Sequence, residues 1–215
     1  MAKELLFWRH GQTDLNIRGR IQGSTDCPLN GEGLAQAREI APELAKKQIT
    51  KIYCSDLLRA KQTAEVLAGL LHLEVTADPR LRERSYGDWE KLTAKEIKDR
   101  WPAEFCAWRE GKQPEGVNVE TRLACGMRVK EAVLDAVRES GQDDVLMFVA
   151  HGGSIVNGIM CLLEMDPQQW TGFQGQDNCH WARLIPRPKA NPPWRVVTYN
   201  GWIEGETGLP ANLWR

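Results

Sequence analysis

Arg9 and His10 close an apolar run, Leu5-Leu6-Phe7-Trp8, and Gly11-Gln12-Thr13 follows at once. The run reads as a buried strand, which places a guanidinium and an imidazole at a strand end, where open α/β sheets bind ligands. An imidazole there can attack phosphorus while the neighbouring cation holds the phosphoryl oxygens. The pattern recurs in Phe148-Val149-Ala150-His151-Gly152-Gly153. If both strands run parallel, two imidazoles meet at one sheet edge, and the glycines let the backbone turn and a ligand approach closely. A single such histidine is readily explained as a strand cap with satisfied hydrogen bonds. A matched pair, one of them joined to an arginine, points to a site.

A second arginine lies in Ser55-Asp56-Leu57-Leu58-Arg59-Ala60-Lys61-Gln62-Thr63-Ala64. The spacing predicts a strand ending at serine, a helix capped by Asp56, and Arg59 in the first turn. A cation at the positive end of the macrodipole gains nothing from it, so its position makes sense if a phosphate supplies negative charge. A solvated helix-start arginine is the alternative. Cleavage of a phosphomonoester also needs a proton for the departing alkoxide. Glu83, Asp88 and Glu90, in the segment from Leu81 to Glu90, are the local candidates, and each is equally readable as a surface carboxylate.

The elements that must position these groups follow from apolar spacing. Strands are predicted over Glu4 to Arg9, Lys51 to Ser55, Leu73 to Thr76 and Val145 to Ala150, the last apolar on both faces as parallel strands are. Two closing strands are predicted near Ala182 to Pro186 and Arg195 to Tyr199. Helices are predicted from Gly31 to Lys47 with Asn30 as cap, from Asp56 to Leu71, from Asn118 or Thr121 towards Ser140, and from Gly153 to Leu163. The alternation predicts an α/β fold: a three-layer, doubly wound, mostly parallel sheet with helices on both faces. Between Leu81 and Gly116 the rhythm breaks into turns and aromatics, as in an insertion that forms a lid or substrate wall. One domain over residues 1–215, with a lid-like insertion at about 81–116, is the economical reading.

Composition removes several function classes. A net charge of −1 over 215 residues argues against nucleic acid held by phosphate neutralisation. No apolar run approaches the ~18 residues that span a bilayer. The start, Met1-Ala2-Lys3-Glu4, is unlike a signal peptide. The 6 cysteines are scattered without a C-x-x-C pair, which favours reduced thiols over zinc or disulfides. A cytoplasmic protein is expected. Tyr86, Trp89, Trp101 and Trp108 would suit an organic leaving group with an apolar face, or simply pack as lid core.

Together these segments resemble the histidine phosphatase superfamily, the phosphoglycerate-mutase-like group named for its R-H-G signature. Arg9 to Thr13 matches the signature; Asn16 and Asp26-Cys27-Pro28-Leu29-Asn30-Gly31 follow as in that family. Ser55 to Ala64 matches its second-arginine motif, Leu81-Arg82-Glu83 its acid motif and His151-Gly152 its second histidine, while Asn178 falls where an asparagine precedes a late strand. The resemblance implies that His10 is the nucleophile and that Arg9, Arg59 and His151 hold the phosphoryl oxygens, with His151 a cationic donor. It implies that Glu83 is the general acid, later the base for water. Asn16, Gln22, Gly23 and Gly152 are the further phosphate and substrate contacts it implies. No metal and no cofactor are implied, the arginines standing where magnesium would.

The chain departs from the family pattern at Lys91, where glycine is frequent, and at Val117 and Asn118, where glutamate and serine are. Both places are expected around the leaving group. The leading function is hydrolysis of a small-molecule phosphomonoester. A cofactor-dependent phosphoglycerate mutase is the alternative, disfavoured by the compact insertion. A non-catalytic phospholigand-binding protein would need no general acid, and a metal-dependent hydrolase would use both histidines as ligands. Tyr86-Gly87-Asp88-Trp89-Glu90 looks similar to the α-ribazole phosphatases of cobalamin synthesis. No membrane partner is expected, and a homodimer is left open.

Overall fold

The computed structural model describes residues 2–203; the single-domain expectation for 1–215 extends past these at both ends. Strands β1 (Glu4–Arg9), β2 (Lys51–Cys54), β3 (Val75–Ala77), β4 (Val145–Ala150), β5 (Trp181–Pro186) and β6 (Trp194–Gly201) form one sheet in the order β3-β2-β4-β1-β5-β6. The first four in that order run parallel, β5 is antiparallel to β1 and β6 is antiparallel to β5, so the sheet is mostly parallel as expected.

Side chains alternate across the pleat, and each face has its own helices. The short helix α1 (Asp14–Ile17) follows β1, and on one side Leu6, Trp8, Ile52, Met147 and Val149 pack against α2 (Gly31–Ala45) and α3 (Leu58–Leu71), whose apolar faces are supplied by Ala37, Ile40 and Leu44 of α2 with Ala60, Ala64 and Leu67 of α3. Leu5, Phe7, Leu146 and Phe148 meet Val129 and Val133 of α6 (Arg122–Arg138) and Ile155 and Ile159 of α7 (Gly152–Leu162) on the other. Every residue of β4 is buried, because helices cover both of its faces. Phe148 stacks between Phe7 and Tyr53 with ring centroids 5.4 and 5.3 Å away.

The segment between β3 and α6 carries α4 (Ala94–Arg100) and α5 (Pro102–Arg109) around a small core of Trp89, Ile97, Val117 and Val119. Three expectations shift. The third strand begins at Val75, two residues late. The long helix takes Thr121 as its cap, whose side chain accepts from Ala124 N–H, and not Asn118, whose φ of 53° turns the chain into the left-handed region. Asp56 does not cap α3: Leu57 occupies that position without a side-chain bond, and the Asp56 carboxylate pairs with Arg82 at 2.6 Å.

Candidate active site

The parallel register of β1 and β4 sets Arg9 opposite Ala150, so both chains leave the sheet together and their next residues are the two histidines. The rings of His10 and His151 lie 5.1 Å apart at 60°. Both residues are buried. The tight turn after His10 needs glycine: a Cβ on Gly11 would lie 2.3 Å from the Gly33 carbonyl oxygen. Nδ1 of His10 lies 2.7 Å from the Gly11 carbonyl. A carbonyl only accepts, so Nδ1 carries the proton and Nε2 keeps its lone pair. Asn178 donates to the His10 carbonyl at 3.0 Å, fixing the same turn from the other side.

Arg59 lies in the first turn of α3, fully buried, and donates to the carbonyls of Thr25 at 2.7 Å and Gly23 at 2.8 Å. Arg9 donates to the Gln176 carbonyl. Nε of each arginine and both ring nitrogens of His151 are buried without a protein partner. Burial holds both guanidiniums below their ordinary range. It also drives His10 well below the usual imidazole range, with the charges of Arg59 and Arg9 adding to the effect. His151 is lowered by burial, then by Arg59, His10 and Arg9. His10 is therefore neutral, as attack requires. In the free site burial and these cations disfavour a charged His151, whereas a cationic donor was expected; a neutral imidazole still offers one N–H.

This has a consequence for stability. Between pH 6.5 and 5 the unfolded chain protonates both histidines while the folded chain holds them neutral, so the unfolded state binds more protons and stability falls as pH falls. With two such groups the slope approaches about 2.7 kcal/mol per pH unit. Urea midpoints at pH 7.5, 6.0 and 5.0 should show it, and a His10→Asn, His151→Asn double variant should lose most of it. A flat profile across that window would contradict the buried neutral pair.

The three acid candidates separate cleanly. Glu83 reaches the N-terminus of α7, where its carboxylate accepts from Gly153 N–H at 3.0 Å, Ser154 N–H at 2.8 Å and its neighbour Arg84 N–H at 2.7 Å. An anion is stabilised at that helix end. Glu90 instead pins the 23–25 loop, accepting from Ser24 N–H and Thr25 Oγ1, both at 2.8 Å. Asp88 meets Asn118 Nδ2 at 3.2 Å. Among these three only Glu83 lines the cavity of about 250 Å³ that also holds Arg9, His10, Asn16, Gln22, Gly23, Arg59 and Tyr86.

Of the remaining sequence candidates, Asn16 caps its own turn with Thr13, and Gln22 accepts from Thr13 Oγ1 at 3.1 Å. Gly152 packs behind the site, where a Cβ would stand 3.5 Å from the Arg9 guanidinium carbon. The aromatics divide: Tyr86 and Trp108 line the cavity, whereas Trp89 is fully buried in the small core with Trp101 packed against it. Val117 and Asn118 are not on the cavity, contrary to expectation. Their carbonyls back the Gly87 turn, where a Cβ would come within 2.5 Å of either oxygen. Lys91 occupies a φ of 66°, the conformation that makes glycine frequent there.

Two positioning residues escaped the sequence reading. Thr63 accepts from Gly11 N–H at 3.1 Å; its place four residues after Arg59, on the same helix face, was the available signal. Arg128 donates to the carbonyls of Arg80, Arg82 and Glu83 at 2.7, 2.7 and 2.9 Å and pairs with Glu120 at 2.8 Å, holding the acid loop against α6. Nothing in its local sequence marks it.

The family model for the histidine phosphatase superfamily (branch 1) matches residues 5–200. A glucosyl-3-phosphoglycerate phosphatase of Mycobacterium tuberculosis is 35% identical over 190 residues, covering 85% of each chain. A probable phosphoglycerate mutase GpmB of Yersinia enterocolitica is 32% identical over 211 residues, covering 95% of this chain and 92% of its own. The solved mycobacterial glucosyl-3-phosphoglycerate phosphatase in complex with VO3 superposes with a TM-score of 0.83 at 34% identity, over 93% of this chain and 99% of that one. The chain belongs to the histidine phosphatase superfamily, branch 1.

Proposed function

We propose that this protein is a phosphomonoesterase that hydrolyses a small phosphorylated metabolite through a phosphohistidine on His10. The observation that carries the reading is a neutral His10, its Nε2 lone pair free, in one cavity with Arg9, Arg59 and Glu83. Glu83 enters the step as the carboxylic acid; His10 Nε2 attacks phosphorus as the bond to the ester oxygen breaks, and Glu83 gives that oxygen its proton and becomes the carboxylate. Water then attacks the phosphoryl group, Glu83 takes its proton, and inorganic phosphate leaves as Nε2 is restored. Arg9, Arg59 and the His151 N–H meet the charge that the transition state spreads over the equatorial oxygens, with Asn16, Gln22, Gly23 and Gly152 around them. Residues 81–116 wall the leaving-group side.

The relatives named above as phosphatases support a hydrolase, and those named as probable mutases keep the acceptor question open. Glucosyl-3-phosphoglycerate, phosphoglycerates and α-ribazole phosphate belong together in one substrate panel, assayed for free phosphate and for isomerised product. Release of phosphate without isomer is the expected result; isomer in excess of phosphate would make the protein a mutase. All six cysteines are free, which fits a reducing cytoplasm. No helix among the described residues is long and apolar enough to cross a membrane.

No step of this scheme uses a metal, so turnover should persist in EDTA. Brief incubation with labelled substrate should leave an acid-labile, alkali-stable label on the protein. Activity abolished by the chelator, or label that survives acid, would overturn the scheme.

A further inference from the structure

Gln22 lines the cavity around His10, and the protein holds its amide at one end only. Oε1 lies 3.1 Å from Thr13 Oγ1 and 3.2 Å from Cys27 Sγ, while Nε2 has no hydrogen-bond partner among the described residues. The Thr13 hydroxyl already accepts from Asn16 N–H at 3.2 Å, and the Cys27 sulfur accepts from Arg59 Nη1 at 3.8 Å. Each therefore keeps its own proton to give, which marks the amide atom between them as the oxygen. Two donors on the oxygen turn the NH2 the other way.

The two donors are not equivalent. Thr13 has one proton and two oxygens within reach, Asn16 Oδ1 at 3.0 Å and Gln22 Oε1 at 3.1 Å, so it cannot hold Gln22 by itself. Cys27 has no other acceptor among the described residues. Its thiol is half-buried, and both of its flanks are tied to α3, the helix that carries Arg59. Asp26 Oδ1 accepts from Leu58 N–H at 2.7 Å, and Leu29 N–H donates to Gln62 Oε1 at 2.8 Å. The sulfur thus stands in one frame with Arg59 and passes that frame on to Gln22.

We infer that Cys27 is a positioning residue of the phosphate site: its S–H fixes the Gln22 amide so that Nε2 donates to a phosphoryl oxygen beside Arg59. The thiol itself does not touch the phosphate. Without it the amide is free to turn over and set its oxygen against an anion. The inference rests on the phosphate site of the reading above and adds a residue that no step of that scheme uses. The phosphoryl oxygens are negative in the bound ester and in the transition state alike, so the loss falls on KM and leaves kcat within about twofold.

Cys27→Val removes the S–H and keeps an apolar side chain of similar size. It should weaken binding of inorganic phosphate, measured by calorimetry, and raise KM for p-nitrophenyl phosphate, each by about 3- to 10-fold, the range of a single hydrogen bond. Cys27→Ser, which still donates, should recover most of that loss. In a Gln22→Ala background Cys27→Val should cost less than about twofold, because the group it positions is gone. An unchanged phosphate affinity in Cys27→Val, a serine variant as weak as the valine one, or an equal loss in both backgrounds would overturn the positioning role. Phosphate affinity is read without turnover, so a parent protein that binds phosphate but hydrolyses no ester would overturn the phosphatase reading alone.

Discussion

Replacing His10 by alanine should lower turnover of every phosphate ester, activated or not, by at least about 10⁴-fold. The size follows from what else the cavity contains. Around the phosphate position stand guanidiniums, amides and a carboxylate, none of them a substitute for an imidazole lone pair. Tyr86 is the one hydroxyl-bearing ring there, and burial pushes its phenol up to about 12, so it stays protonated at neutral pH. His151, fully buried with its ring 5.1 Å from that of His10, serves the scheme as an N–H donor to the phosphoryl oxygens, not as the attacking group. Loss of activity should not be loss of the site: Arg9 and Arg59 are held by carbonyls of Gln176, Thr25 and Gly23, none of which involves His10. The alanine variant should therefore still bind inorganic phosphate while forming no acid-labile phosphoenzyme. Turnover within a hundredfold of the parent in a carefully purified variant would remove His10 from the role of nucleophile.

Much of this was legible in the chain because the β1 and β4 motifs are local: an apolar strand, a histidine and a glycine carry their own geometry. Parallel pairing then aligns them without further information, and the register of Arg9 with Ala150 does so. Glu83 could not be chosen from Asp88 and Glu90 by residue type, since what selects it is the N-terminus of α7, seventy residues away. The pressure on His151 towards the neutral form was not legible for a related reason. Its environment is the sum of Arg9, Arg59 and burial, contributed by three separate segments. Asp56 shows the opposite failure, a local cap signal overridden by an arginine at Arg82 that offers a stronger partner. Arg128 had no local signature at all, because its partners are carbonyls. Long-range pairing to backbone leaves no trace in side-chain spacing.

Glu83→Gln should separate substrates by how much their leaving groups need a proton. With an alkyl phosphate the departing alkoxide is a strong base, and loss of a positioned acid typically costs 10²- to 10⁴-fold. p-Nitrophenolate leaves unprotonated, so the first turnover with p-nitrophenyl phosphate should stay within about tenfold of the parent. The substitution has a structural cost as well. Both carboxylate oxygens accept backbone N–H groups, and an amide NH2 placed against one of them loses that bond, worth about 1–3 kcal/mol when the partner stays buried. That cost falls equally on both esters, which is why the ratio of first-turnover rates is the measurement to trust over either rate alone. The same variant should reveal the second half of the cycle. Glutamine cannot take a proton from water, so the phosphohistidine accumulates and p-nitrophenol appears as a burst approaching one per site before slow steady turnover. Equal losses on alkyl and aryl esters, without a burst, would reduce Glu83 to a residue that positions the loop between α7 and the cavity.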